Sequence, residues 1–460
     1  MATTLVEAPA QRGLVTKIAV EKLFGHYTYE MKPSDPAGAD PRLLLLYGDN
    51  GSGKTTIAQL LFHLLSPGGR AGHRTFLAQT RFKRFCVVFD DRISISAERR
   101  GQALDGEYYL VAKDGGASTE VHARTSDDGA VRDDTIDDKK LQEFFAAFPT
   151  PLATYFISDA RILQSDVFAD EEEERDSTRR RKMTVSRGDS GERFVDNGPR
   201  REVIVVPSIA RAETWMRRQA LAASTAGEVS ISNIYGDILE RIAQPPTAEQ
   251  TTESRDVVQL LGSLHLLSER AKEFAALGLA SPVPIETLTK TLTSVDESRV
   301  SLIAGVLEPY VNSIGARLDA LAHIQRRLSV FLWIINAFYK RKTVELTVEN
   351  GIQVIDQAGE RLSPSLLSSG EQQLMLLLCN ILAATGQPSL FIIDEPELSL
   401  NVKWQRELVD SLLQLVEGSE VQFVMATHSI ELLTRHNSSV LKLETIEGVT
   451  VHAPGSSDGA

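Results

Sequence analysis

Two cysteines in 460 residues, Cys86 and Cys379, cannot build a disulfide framework, so the fold has to rest on packing. The apolar stretches are interrupted or too short to span a bilayer, and no membrane segment is expected. Met1 to Gly13 lacks an apolar run of secretory type, which with the cysteine count leads to a reducing, cytoplasmic location. Positive charge is also in deficit. A formal net charge of -13 argues against generic adhesion to nucleic acid, although clusters such as Arg81, Lys83 and Arg84, or Arg179 to Lys182, could grip a phosphate backbone locally. Neither a metal-ligand cluster nor a nucleophilic triad is visible. What remains is ordinary for a globular chain: 42% hydrophobic and 24% charged residues, at a length that suits two or three domains.

Along the chain, Leu14 to Met31 reads as strand and turn, and Leu43 to Tyr47 as a buried strand ending in a glycine-rich turn. Thr55 to Leu65 has helical spacing and stops before Pro67. Cys86 to Phe89, Ile93 to Ser96, Tyr108 to Val111 and Glu120 to Ala123 predict a small antiparallel sheet. Asp170 to Asp196 has almost nothing to bury and reads as a solvated loop. Val203 to Val206 is a strand candidate, and helix follows from about Arg211 to Lys342. Two apolar seams occur there: Val257, Leu260, Leu264, Leu267, Ala271 and Phe274, and then Ile314, Leu318, Leu321, Leu328, Leu332 and Ile335, interrupted by Gln325. They could zip as a short antiparallel coiled coil or pack as ordinary helices. Thr343 to Val348 and Ile352 to Ile355 flank Asn350-Gly351, a hairpin signal.

Four motifs carry chemistry. In Gly48 to Thr55, small residues let backbone N–H groups converge on phosphates at a positive helix end. The nucleotide-binding set is Asn50, Gly51, Ser52, Gly53, Lys54, Thr55 and Thr56. Lys54 supplies a point charge, and the Thr55 hydroxyl is the expected ligand to Mg²⁺. A chance match to this loop pattern is on the order of one in a hundred for such a chain. Second, the apolar run Leu390 to Ile393 delivers Asp394, as a metal ligand, and Glu395, to orient and deprotonate water. Third, Leu367 to Leu374 places Ser368, Ser369, Gly370 and Glu371 at the start of an apolar helix. That is a second anion site, though in isolation it is also helix-capping chemistry. Fourth, the strand Val421 to Ala426 delivers Thr427 and His428, in the order a γ-phosphate sensor requires.

In this order the motifs resemble the ABC ATPases, within them the soluble SMC and RecF branch and its anti-phage relatives. The resemblance covers about the first 65 residues and the last hundred. It implies an α/β fold: an ABC-ATPase head with a P-loop mixed sheet, a small antiparallel β subdomain and a helical, optionally short coiled-coil, insertion. The expected parts are 1–208 and 343–453 as the two halves of the head, 209–342 as the insertion and 454–460 as a tail. The resemblance further implies ATP and Mg²⁺ as cofactors, Glu395 and His428 as catalytic residues, Thr55 and Asp394 at the metal, and a homo-oligomer of at least two copies in which Ser368 to Glu371 act in trans.

Departures from the family pattern accompany this. Ser369 replaces a signature glycine, and Asn401 stands where relatives have histidine. The Q-loop glutamine is Gln164 in preference to Gln79. Phe24, His26, Tyr27 and Tyr29 compete for the adenine. The combination LSSGEQQ with DEPELSLN looks like the ATPase subunits of the PARIS and Septu defence systems. Too few residues follow His428 for a fused Toprim domain, so the resemblance implies a sensor and scaffold that holds a separate effector nuclease, answers a phage protein, and assembles as a dimer or a ring of dimers away from any membrane. DNA stays open as a partner in a RecF-like alternative, and a nucleotide-gated scaffold with little turnover is the third reading.

Overall fold

The computed structural model describes residues 13–67, 72–90, 92–115, 117–126, 129–131, 136–146, 152–165, 205–223, 254–282, 284, 287–290 and 297–445. The expected loop at 170–196 and the tail 454–460 lie outside them. The chain divides into two units, one from Met1–Arg200 and Ala384–Ala460, the other from Arg201–Ala383.

The first unit opens with β1 (Val15–Leu23), β2 (Tyr27–Met31), β3 (Leu43–Tyr47), α1 (Lys54–Leu65) and α2 (His73–Gln79). Next come β4 (Arg84–Phe89), β5 (Ile93–Glu98), β6 (Tyr108–Asp114), β7 (Ala117–Ala123), α3 (Asp138–Ala146), β8 (Ala153–Ile157) and β9 (Leu163–Ser165). The second unit has a helix over 205–223, here α4, then α5 (Ser254–Ala276), α6 (Glu297–Phe338), β10 (Lys342–Thr347), β11 (Gly351–Asp356), β12 (Arg361–Leu362) and α7 (Ser369–Ala384). The chain returns to the first unit with β13 (Ser389–Asp394), α8 (Val402–Leu415), β14 (Val421–Thr427), α9 (Ile430–Arg435) and β15 (Val440–Lys442).

In the first unit a six-stranded sheet runs β15-β3-β14-β13-β8-β9, parallel throughout except for β9. Its central strands β8, β13 and β14 are buried at every position. That is why they read as unbroken apolar runs rather than alternating ones. A second six-stranded sheet, β2-β1-β4-β5-β6-β7, is antiparallel. Helix α1 buries Ile57, Ala58, Leu60, Leu61, Leu64 and Leu65 in a core built from both sheets. Gln422, itself buried in β14, locks the sheets together: its side chain accepts from Val15 N–H at 2.9 Å and donates to the Val15 carbonyl at 2.9 Å. The expected mixed P-loop sheet with an antiparallel companion is thus the observed architecture.

In the second unit α5 and α6, of 23 and 42 residues, pack along each other around Leu260, Leu264 and Val311. Their direction corrects the antiparallel expectation. Leu267 lies 3.9 Å from where a Cβ on Gly315 would stand, Arg270 pairs with Asp319 at 2.7 Å, and Gln325 donates to Glu273 at 3.4 Å. Contacts advance in step along both helices, so the pair is parallel. The stretch between Ala276 and Glu297 is long enough to carry the chain back to the start of α6, which frees the pair from hairpin geometry. Of the expected seam, Leu260, Leu264, Ala271, Phe274, Leu318, Leu321, Leu328 and Ile335 are buried, whereas Val257 lies outside the described side chains. Val205 and Val206, expected in a strand, instead begin α4. The hairpin forms as expected, with Thr347 opposite Gly351. Asn336 binds Val344 through both its N–H, at 2.7 Å, and its carbonyl, at 3.0 Å. That clamp ties the hairpin to α6, and the unit that holds both runs to Ala383.

Candidate nucleotide site

In a parallel sheet the loops leaving the carboxyl ends of the strands share one edge, where ligands gather. Here β3, β13, β14 and β8 deliver there the loop 48–54, Asp394 with Glu395, Thr427 with His428, and the turn 158–162.

The loop after β3 is shaped for an anion. Gly51 and Gly53 adopt φ of 81° and 91°, left-handed values that favour glycine. A Cβ on Gly53 would meet Leu23 Cδ2 at 2.8 Å and Phe24 Cε2 at 3.3 Å. Helix α1 begins there with no side-chain cap and no acidic residue in its first turn, leaving its first N–H groups to a ligand. Ser52 Oγ is buried without a hydrogen-bond partner. Lys54 Nζ donates to the carbonyls of Gly48, at 2.8 Å, and Asp49, at 3.1 Å, so its charge already sits over the loop. From below, the buried Tyr29 hydroxyl donates to the Ser52 carbonyl at 3.1 Å. That position takes Tyr29 out of the competition for an adenine ring, while Phe24 and His26 are exposed.

Asp394 ends β13 almost wholly buried. Burial pushes its carboxyl up, a hydrogen bond with the Thr55 hydroxyl pulls it down, and the charges of Asp159 and Glu397 add to a net rise. Its Oδ1 has no hydrogen-bond partner. A buried orphan carboxylate oxygen beside a threonine hydroxyl, at the mouth of a phosphate loop, fits a hard divalent cation bound through oxygen.

Glu395 holds φ of 50°, which costs a non-glycine residue about 1–2 kcal/mol and which the backbone bond from Glu395 N–H to the Ala426 carbonyl at 2.8 Å helps to maintain. The strain turns its carboxylate toward His428, whose Nδ1 lies 2.7 Å from Oε2 and 2.9 Å from Oε1. Burial raises the Glu395 carboxyl, the His428 hydrogen bond lowers it, and the nearby Glu397 and Asp394 charges leave it above its ordinary value.

Glu397 was not singled out from the sequence, although it belongs to the acidic motif. Buried, it accepts through one oxygen, Oε1, from Thr427 Oγ1 at 2.5 Å, His428 N–H at 3.1 Å and Ser429 N–H at 3.0 Å. It pins the backbone that carries His428. Arg161, with φ of 64°, donates to Ser399 Oγ, with φ of 66°, tying the turn after β8 to the turn after β13. Gln164 is exposed on β9 opposite Phe156, and Gln79 ends α2.

In the second unit, Ser368 and Glu371 form a reciprocal cap at the start of α7. Ser368 N–H donates to Glu371 Oε2 at 2.7 Å, and Glu371 N–H to Ser368 Oγ at 3.4 Å. Burial opposes the Glu371 charge, but the Lys342 ammonium at 2.7 Å and the Ser368 N–H outweigh it and hold the carboxyl below the usual range. Ser369 and Gly370 are the first two residues of α7, so the serine meets none of the left-handed strain that its place in the motif suggested. Asn401 caps α8, accepting from Trp404 N–H at 3.1 Å.

A family described as "AAA domain, putative AbiEii toxin, Type IV TA system" matches residues 269–434. Among curated proteins, the lipoprotein-releasing system ATP-binding protein LolD of Ruegeria pomeroyi is 37% identical over 84 residues, 18% of this chain and 35% of its own length. The DNA double-strand break repair Rad50 ATPase of Sulfurisphaera tokodaii is 30% identical over 109 residues, 23% of this chain and 12% of its own. The chain spans less than half the length of each of these relatives. Among solved structures, the Smc head domain of Pyrococcus furiosus bound to the C-terminal domain of ScpA is similar at a TM-score of 0.35 and 14% identity, covering 93% of this chain and 95% of that one. The chain is similar to ABC-type ATP-binding proteins over less than a quarter of its length in each of these matches. Among the described residues, no helix is long and apolar enough to cross a membrane.

Proposed function

We propose that this chain binds ATP with Mg²⁺ and hydrolyses it in a site that a second copy completes. The observation that carries this reading is the Glu395–His428 pair, 2.7 Å apart at the ends of adjacent parallel strands beside the phosphate loop. Lys54 exchanges its two loop carbonyls for the β and γ phosphates, while Thr55 and Asp394 hold the cation. When bound, Mg²⁺ neutralises charge on the phosphates. Glu395, once ionised, is a stronger base than an ordinary carboxylate because its pKa is raised, and it takes the proton of the attacking water. An ionised carboxylate only accepts, so His428 Nδ1 donates to Glu395, and Nε2 faces the γ-phosphate, to which it donates only when it carries a proton as well. Ser368 to Glu371 of the other copy supply a helix N-terminus to the same phosphates, with Glu371 committed to holding that terminus in shape.

Replacing the base tests this reading. Glu395→Gln keeps nucleotide binding, lowers turnover by about 10²–10⁴ and makes the ATP-bound dimer accumulate. Turnover equal to that of the wild type would refute Glu395 as the base, and a wild type without turnover would leave a nucleotide-gated scaffold.

The use of this engine is proposed as that of a sensor and scaffold in an anti-phage complex with a separate effector nuclease. The resemblance of the signature and acidic motifs supports it, as does the toxin–antitoxin description of the matched family. Co-purification of a nuclease from the native host supports this use. A second reading, a Rad50-like DNA-repair ATPase, is favoured by the match to that protein and by the paired helices α5 and α6. Strong, salt-dependent stimulation of turnover by DNA without a bound nuclease would favour it instead.

A further inference from the structure

The ends of β13 and β14 gather a second set of metal-ligating donors, apart from Thr55 and Asp394. Asp394 in β13 lies level with Ala426 in β14, so Glu395 and Glu397, just past one strand, stand beside Thr427 and His428 at the end of the other. One donor atom from each of Glu395, Glu397 and His428 falls within 4.8 Å of the other two. Among the described residues, no other three His, Cys, Asp or Glu side chains meet in this way. Two observations separate the cluster from an ordinary acidic turn. Glu397 is 6% exposed, and although its Oε1 takes three hydrogen bonds, its Oε2 has none. A buried carboxylate oxygen without a donor is costly unless a cation satisfies it. The third donor is a nitrogen: His428 Nδ1, 2.7 Å from Glu395 Oε2, on an exposed side chain that an ion can reach from solvent.

We propose that Glu395, Glu397 and His428 bind one Zn²⁺ in the nucleotide-free protein, and that this ion locks the site against turnover. An imidazole nitrogen with two carboxylates is a donor set for Zn²⁺, which takes three protein ligands and keeps a fourth position for water. Mg²⁺, which prefers oxygen donors alone, suits Asp394 and Thr55 instead. Neutral His428 moves its proton from Nδ1 to Nε2 and gives the Nδ1 lone pair to the ion, so the imidazole keeps its charge state. Bonds of about 2.0–2.2 Å set neighbouring ligand atoms of a tetrahedron roughly 3.3–3.6 Å apart, so the Glu395–His428 pair opens by about 1 Å or less from its 2.7 Å separation. The lock rests on the reading of Glu395 as the base, whereas the metal site does not. A carboxylate bound to the ion no longer takes a proton from water, and the imidazole is held away from a γ-phosphate.

Zn²⁺ is the probe, titrated by calorimetry into the metal-free, nucleotide-free full chain. Co²⁺ in its place reports through its visible absorption whether the site is four-coordinate. The expected result is one ion per chain, bound at least about tenfold more weakly in Glu397→Gln and in His428→Gln, and changed by less than about threefold in Asp394→Asn. With free Zn²⁺ buffered above its dissociation constant, turnover of Mg²⁺–ATP falls at least about tenfold and returns on chelation. His428 is exposed, Glu397→Gln keeps an oxygen for its three donors, and circular dichroism confirms that each variant is folded. No stoichiometric ion in the wild type overturns the proposal, as does equal affinity in either Glu397→Gln or His428→Gln. Affinity lost in Asp394→Asn but kept in His428→Gln overturns it by placing the ion with Asp394, and leaves the nucleotide site as read. A bound ion that leaves turnover untouched overturns the lock. A wild-type rate in Glu395→Gln refutes the base, and the metal site stands, because its binding is read without nucleotide.

Discussion

Replacing Glu397 separates the scaffold of the site from its chemistry. Three donors converge on its Oε1: the Thr427 hydroxyl and the N–H groups of His428 and Ser429. Ser429 N–H also reaches Thr427 Oγ1 at 3.0 Å, so Glu397→Ala strands the Thr427 hydroxyl in a buried setting and the His428 N–H in a partly buried one. At about 1–3 kcal/mol for each stranded donor, the variant loses about 2–6 kcal/mol of stability. Glu397→Gln keeps an oxygen where all three donors point and gives up only the charge, a loss of about 1–2 kcal/mol. Urea unfolding followed by circular dichroism measures both. In turnover the alanine variant falls at least tenfold, because His428 loses the anchor of its backbone, while ATP affinity changes little because the loop 48–54 is untouched. The glutamine variant adds a pH signature. The Glu397 charge helps to hold the Glu395 carboxyl up, so its removal lets that carboxyl fall and moves the acid limb of the turnover profile to lower pH. An alanine variant that unfolds with the wild type and turns over normally would refute the clamp.

Gly53→Ala places a Cβ 2.8 Å from the fully buried Leu23 in a left-handed backbone, a cost of about 1–2 kcal/mol from conformation alone before the overlap is relieved. The urea midpoint drops, and affinity for a fluorescent ATP analogue falls more than tenfold; unchanged affinity would show that this glycine does not shape the loop. Lys342→Met tests the cap of α7. Because the folded Glu371 carboxyl is held below its ordinary pKa, its contribution is present above the unfolded value and is lost as the pH falls through the folded one. The variant is therefore less stable than the wild type at pH 7, by about 1 kcal/mol for a half-buried pair, and the gap closes in acid once Glu371 is protonated in both. A gap that persists at pH 3 would assign the loss to packing of the lysine stem instead.

The legible parts were those in which one short segment carries its own signal. The buried strands β3, β13 and β14 are written as apolar runs, the phosphate loop as a glycine spacing, and the β10–β11 hairpin as Asn350-Gly351. Where a segment supports two structures, tertiary context decided. Val205 and Val206 have strand chemistry, yet Val205 joins Ile209, Ala212 and Met216 on the buried face of α4 while Val206 is exposed. Seam spacing says that two helices meet and nothing about direction. Direction is visible only in the contacts between the two helices, which make the pair parallel.

The site divides along the same line. Asp394, Glu395 and His428 sit at the ends of strands whose apolar runs announce them. The residues that make them work together are legible only once the strands are in register. Glu397 reaches across 30 positions to Thr427, and Arg161 across 238 to Ser399, and no local periodicity encodes either pairing. The strained backbone adds a reason: Arg161, Glu395 and Ser399 all take left-handed φ without being glycine. Each costs free energy on its own, and each is held by a bond to another strand-end turn or to a neighbouring strand. Three such residues, two of them joined by one hydrogen bond and the third opening the same turn as Ser399, mean that this edge of the sheet is fixed by the turns acting on one another.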